Sequence, residues 1–205
     1  MGNLVNDIRS RGISSAYVVA PFDEGKKALE SEEYHIISLE ENARLRVQEG
    51  KDSYVSQHGN WVREGFLYVP GKGKFLTKAS LVMINPADAT SAHRSRREYS
   101  LTDAQVENGL ANSVKLKNKG FSIPIRRFGE DEVTVFVFGN FVQNYGTFLK
   151  EAGIKEMSVR MINNLGDKPF VRQAWLSRLG YRSRLLGDYR SLYCDSRVRG
   201  IREDR

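Results

Sequence analysis

Residues 15–38, SAYVVAPFDEGKKALESEEYHIIS, set a short apolar run, a charged stretch and a second apolar run in succession. Tyr17, Val18 and Val19 suit a pleated, buried surface, and Pro21 closes the run. Asp23 and Glu24 then stand where the positive end of a helix dipole favours acids, with Lys26 and Lys27 behind them. The stretch YHII follows as a second strand. A connection of about a dozen residues is what a parallel crossover needs, so the segment predicts an N-terminal βαβ-like unit.

Working outward, residues 2–12, GNLVNDIRSRG, read as a short amphipathic helix with Leu4, Val5 and Ile8 on one face and Gly12 as its stop. Residues 38–50 carry two signals. Ser38 and Glu41 have capping-box spacing with Gly50 as a stop, whereas Ala43, Leu45 and Val47 alternate as in a strand; helix is slightly favoured. NWVREGFLYV at 60–69 and the residues after PGKGK predict two or three β segments about a Gly-rich tip. Residues 87–100, ADATSAHRSRREYS, show no period and are expected to form a long loop.

Residues 101–120 make the clearest helix, with Thr102 and Gln105 as a capping box and Val106, Leu110 and Val114 as its stripe. FSIPIRRF and EVTVFVFG flank GEDE as a hairpin, and Pro124 marks its first strand as an edge or interrupted one. A helix over 144–153 and a strand over 156–162 precede Val171, Trp175 and Leu179, which repeat at helical spacing. YRSRLLGDYRSLYC at 181–194 has the form of a hairpin about Gly187–Asp188. The expected fold class is therefore α+β with a mixed sheet, central β segments, several short helices and a C-terminal basic hairpin. Residues 1–168 form the main domain and 169–205 an Arg-rich helix and hairpin packed on it.

With 205 residues the chain can bury one good core. Its longest apolar runs fall far short of a membrane span and the N-terminus shows no cleavable apolar segment, so a cytoplasmic protein without membrane partners is expected. The single cysteine, Cys194, excludes an internal disulfide. Net charge is +7, and it is polarised: residues 23–49 hold eight acids against four bases, while residues 169–205 hold nine arginines, no lysine and four acids.

Arginine grips phosphate with a planar fork and stacks on bases. Alternation puts Arg182, Arg184 and Arg190 on one face of the hairpin and Tyr181, Tyr189 and Tyr193 on the other. Together with His93, Arg94, Arg96 and Arg97 before the clearest helix, and Lys72 and Lys74 at the Gly-rich tip, they predict a nucleic-acid-binding protein, RNA favoured over DNA. Trp175 or a tyrosine would stack on bases if exposed. The competing expectation is that the arginines meet the protein's own carboxylates, Asp188, Asp195 or the acids of 23–49, within one subunit or across a homo-oligomer. A second alternative is a nuclease using Asp23, Glu24 and Lys26 with Mg²⁺, or His35, His58 and His93 without metal. No other cofactor is evident, and no catalytic residue or metal ligand is identified.

Overall fold

The computed structural model describes residues 2–10, 12–180, 183–188 and 192–204. In chain order the strands and helices are β1 (Val5–Ser10), β2 (Ile13–Ala20), α1 (Phe22–Glu30), β3 (His35–Ile36), α2 (Leu39–Glu49), α3 (Tyr54–Gln57), β4 (Asn60–Val69) and β5 (Gly73–Thr77). There follow α4 (Pro86–Arg94), β6 (Tyr99–Ser100), α5 (Asp103–Ala111), β7 (Ser113–Lys115), β8 (Phe121–Pro124), α6 (Glu132–Phe138) and α7 (Val142–Glu151). The last strands are β9 (Glu156–Arg160), β10 (Phe170–Leu176), β11 (Ser183–Leu186) and β12 (Ser196–Glu203).

The strands join one mixed sheet in the order β1-β2-β12-β4-β10-β11-β9-β8, with β5 and β7 continuing from β4 and the short β3 and β6 paired to β12 and β10. Both β2 and β3 run antiparallel to β12, so they are parallel to each other. The strand–helix–strand unit over 15–38 is thus present, but split: the C-terminal strand lies between its two strands. Inside that unit Gly200 of β12 faces Ala16 on one side and Ile36 on the other. A side chain at Gly200 would meet Tyr34 Cβ at 2.8 Å and Leu29 Cδ2 at 3.0 Å, so glycine allows α1 to close over the sheet.

The sheet is covered on both faces. From β4, Val62, Phe66 and Tyr68 join one apolar cluster with α2, α6 and α7, while Trp61, Leu67 and Val69 join another with α1 and α4. A central strand buried on both sides loses polar alternation, and β10 is the same case, contributing Phe170, Ala174 and Leu176 to the first cluster and Val171 to the second. That explains why Val171 and Trp175 repeat as a helix would while the chain is extended: β10 pairs with β4, β6 and β11. Residues 169–205 supply β10, β11 and β12 to this sheet.

Three further expectations are corrected. Within residues 2–12, Val5–Ser10 form β1, hairpinned to β2, and Gly12 has a φ of 76° that suits a reversing turn rather than a helix stop. Residues 87–94 are not a loop but most of α4: Pro86 stands at its first turn, where its fixed φ is already helical, and Ala89, Thr90 and His93 bury one face. EVTVFVF forms α6, not a strand; Asp131 caps it by accepting from Val133 N, and burial of Val133, Thr134, Val137 and Phe138 overrides β-branched propensity.

Local signals were more reliable. Both capping boxes form, Ser38 with Glu41 on α2 and Thr102 with Gln105 on α5, although α5 ends at Ala111 and Val114 belongs to β7. Pro124 does sit in an edge strand, since among the described residues β8 pairs only with β9. The C-terminal hairpin is corrected: β11 pairs antiparallel with β10 and parallel with β9, and Leu192 to Cys194 lie in a turn and bend. Tyr181, Arg182, Tyr189 and Arg190 fall outside the described residues.

Candidate ligand-binding surface

Among the described residues, the basic positions singled out in the sequence lie on separate elements: the end of α4 and the turn after it, the β4–β5 hairpin, and β11. His93 is buried at the end of α4; Arg94, Arg96 and Arg97 are exposed beyond it, Arg96 with φ 58°. Lys72 is exposed at the β4–β5 turn, but Lys74 is buried and its Nζ donates to the carbonyls of Asn118 and Ile162. Burial lowers the Lys74 pKa. In the second position of β5, which returns beside β7, this lysine clamps two loops. Arg184 is exposed on β11, and Arg182 and Arg190 lie outside the described residues.

Other arginines of the C-terminal stretch turn inward. Arg172 is buried and binds Glu98 through Nε at 3.0 Å and through a second nitrogen, and its remaining terminal nitrogen donates to Asp188 O at 3.2 Å. Arg199 is buried and binds both oxygens of Asp7 and Ser15 Oγ. Arg197 donates to Gly59 O and Tyr54 Oη, and Arg202 donates to Glu32 O and lies 4.4 Å above the Tyr34 ring. Arginine serves buried pairs because its fork matches a carboxylate and is weakly hydrated.

Several of the nuclease candidates are engaged structurally. Asp23 and Glu24 occupy the first turn of α1, and Lys26 pairs with Glu30 at 2.7 Å. His35 Nε2 lies 3.0 Å from Glu41 Oε1, and the His58 ring lies tilted against that of Tyr54 with centroids 4.0 Å apart. Although burial pushes Glu41 up, its hydrogen bonds from Ser38 and His35 outweigh that and hold its pKa below the ordinary value. Trp175 is half-buried with its ring edge-on to Trp61, not presented for stacking on bases.

What the structure does bring together is a line of charges between two open clefts. Arg160 pairs with Asp188 at 3.3 Å; Asp188 accepts from Arg172 through its backbone; Arg172 is locked to Glu98. Glu98 lines one cleft of about 460 Å³, with Ser100, Asn164, Asp167, Lys168 and Phe170 around it. Arg160 lines the other, also about 460 Å³, with Phe121, Ser122, Ser158 and Arg184. Beneath them Tyr68 Oη donates to Gly187 O at 3.0 Å, and burial raises its pKa. Of this set, sequence reasoning named Arg184 as a site residue and Asp188 as a possible arginine partner. It missed Ser122, Ser158, Arg160 and Asn164, because only strand register and loop geometry bring them near.

No family model matches the sequence, and no curated protein matches it. A solved structure does match in shape, under the description of how the C-type lectin fold accommodates massive sequence variation in Nanoarchaeota. The TM-score is 0.65 at 15% identity, covering 95% of this chain and 99% of that one. The two chains share a fold. This likeness, with the internal use of Arg172, Arg197, Arg199 and Arg202, corrects the expectation of an RNA- or DNA-binding protein. Among the described residues, Arg199 of the basic tail meets Asp7, outside residues 23–49 and within the same chain.

Proposed function

We propose that the protein is a binding module that takes up a polar ligand on the surface spanning the two clefts. The observation that carries this reading is the Arg160–Asp188–Arg172–Glu98 line, which runs from the lining of one cleft to the lining of the other, with exposed Arg160 at one end and buried Arg172 within it. Recognition needs groups held in place before the ligand arrives, because ordering them afterwards opposes binding. Here Arg172 and Tyr68 are buried while Asn164, Asp167, Lys168 and Arg184 remain exposed above them. A C-type lectin fold is described for the neighbouring protein as accommodating massive sequence variation. An inner frame with an independent exposed rim is the arrangement such tolerance requires.

The test is a screen of immobilised saccharides and peptides with the wild-type protein and with a rim variant carrying Asn164→Ala, Asp167→Ala and Arg184→Ala. A ligand bound by the wild type and lost by the rim variant, at unchanged thermal stability, supports the reading. Ligands retained equally by both proteins reject it.

A further inference from the structure

We propose that the cleft over β8, β9 and β11 binds an acidic saccharide, with Arg184 anchoring its carboxylate and Ser122 and Ser158 engaging its hydroxyls; this rests on the binding-module reading above. The three residues form one row across three strands. Ser122 is the register partner of Ser158, and Ser158 is the register partner of Arg184. Their neighbours Ile123, Met157, Val159, Ser183 and Leu185 are buried, so period-two alternation directs the row to the open face. With strands about 4.8 Å apart, the row extends about 10 Å, the scale of a sugar ring with its substituents.

The charge of this cleft is one-sided. Arg184 pairs with no carboxylate among the described residues, whereas Arg172 and Arg199 each hold one. Arg160, the other cation of the lining, shares its charge with Asp188. Glu156, two positions from Ser158 on β9, is not part of the lining. The Ser122 and Ser158 hydroxyl oxygens lie 3.1 Å apart. That contact uses one donor, leaving a second donor and further acceptor positions for a ligand that both gives and receives hydrogen bonds. A bare oxyanion would leave most of about 460 Å³ unfilled, while a sugar acid presents a carboxylate to a guanidinium and vicinal hydroxyls to the serines.

The experiment titrates the isotopically labelled full chain with trigalacturonate, with its carboxyl-reduced neutral trisaccharide and with acetate, following backbone amides and measuring affinity by calorimetry. Trigalacturonate is expected to shift Ser122, Ser158 and Arg184 and to bind at least about tenfold more tightly than the neutral sugar, since a charge-assisted contact is lost. Arg184→Gln should remove that advantage without lowering the melting temperature, because the side chain is exposed. Equal binding of both sugars, or displacement of trigalacturonate by equimolar acetate, overturns the assignment. If trigalacturonate fails while the neutral sugar or a peptide shifts amides along 164–168, only the acidic-saccharide assignment falls. If neither cleft responds to any saccharide or peptide tried, the binding-module reading falls with it.

Discussion

Arg199 and Asp7 stand 192 positions apart and meet in a two-pronged ion pair, at 2.8 and 2.7 Å, that fastens β12 to the edge strand β1 across β2. The Arg199 side chain is 1% exposed and that of Asp7 13%. Asp7→Ala removes the carboxylate and leaves a buried cation, which should destabilise the fold by about 3–5 kcal/mol. Asp7→Leu with Arg199→Met, which deletes both charges, should recover much of that loss. Urea unfolding of the wild type, the single and the double variant measures it, and a double variant no more stable than the single one would contradict the pair's role.

Glu64 makes stability depend on pH. It is buried on β4, its carboxylate receives the N–H of Leu39 at the start of α2, and burial pushes its pKa from 4.5 up to about 8. Between those values the folded protein holds a proton that the unfolded chain releases, so unfolding becomes easier as pH rises. The stability is fully present below pH 4.5 and is lost up to about 8. Glu64→Gln keeps the shape without the charge and should flatten that part of the profile. Unfolding midpoints at pH 5 and pH 8 for both proteins decide the matter; an equal pH slope in the two removes Glu64 as its source.

What the sequence disclosed depended on range. Ser38 with Glu41 and Thr102 with Gln105 act within one helical turn, so their spacing alone announced α2 and α5. Where tertiary burial outweighs local preference, the signal inverted: β10 has apolar neighbours on both faces and lost its alternation, and Val133 and Val137 pack as α6 despite being β-branched. The candidate surface lies at the far end of that scale. Arg184 was visible as an arginine in an alternating stretch, but its row with Ser158 and Ser122 exists only through the parallel pairing of β11 with β9 and the antiparallel pairing of β9 with β8. Composition recorded the arginines and not their partners, which is why charge pointed to polyanions while the structure spends much of it internally.

Lys74 should control the order of the loop beside the Glu98 cleft. Its buried amino group serves the carbonyls of Asn118 and Ile162, joining the β7–β8 and β9–β10 connections. Lys74→Met keeps most of the apolar stem and deprives both carbonyls of their donor, at about 1–3 kcal/mol. The expected outcome is amide exchange at least about tenfold faster along residues 163–168, with smaller change in the α1 region. Hydrogen-exchange mass spectrometry reads it, and unchanged protection along that loop would show that the clamp is dispensable.

Gly25 sets how closely α1 approaches the inserted strand. A Cβ there would lie 2.6 Å from Val198 Cγ2 and 2.9 Å from Val198 Cβ. Val198 is fully buried, and a β-branched side chain has little rotameric freedom to give way. Gly25→Ala gains about 0.5–1 kcal/mol of helix propensity but forces overpacking of about 1–3 kcal/mol, so net destabilisation is expected. The sign reverses if the obstacle is removed: in a Val198→Ala background the same substitution should become neutral or stabilising. A double-mutant cycle on unfolding free energy therefore tests the split strand–helix–strand unit directly, because coupling between positions 25 and 198 arises only if α1 packs on the C-terminal strand. Additive effects would mean that it does not.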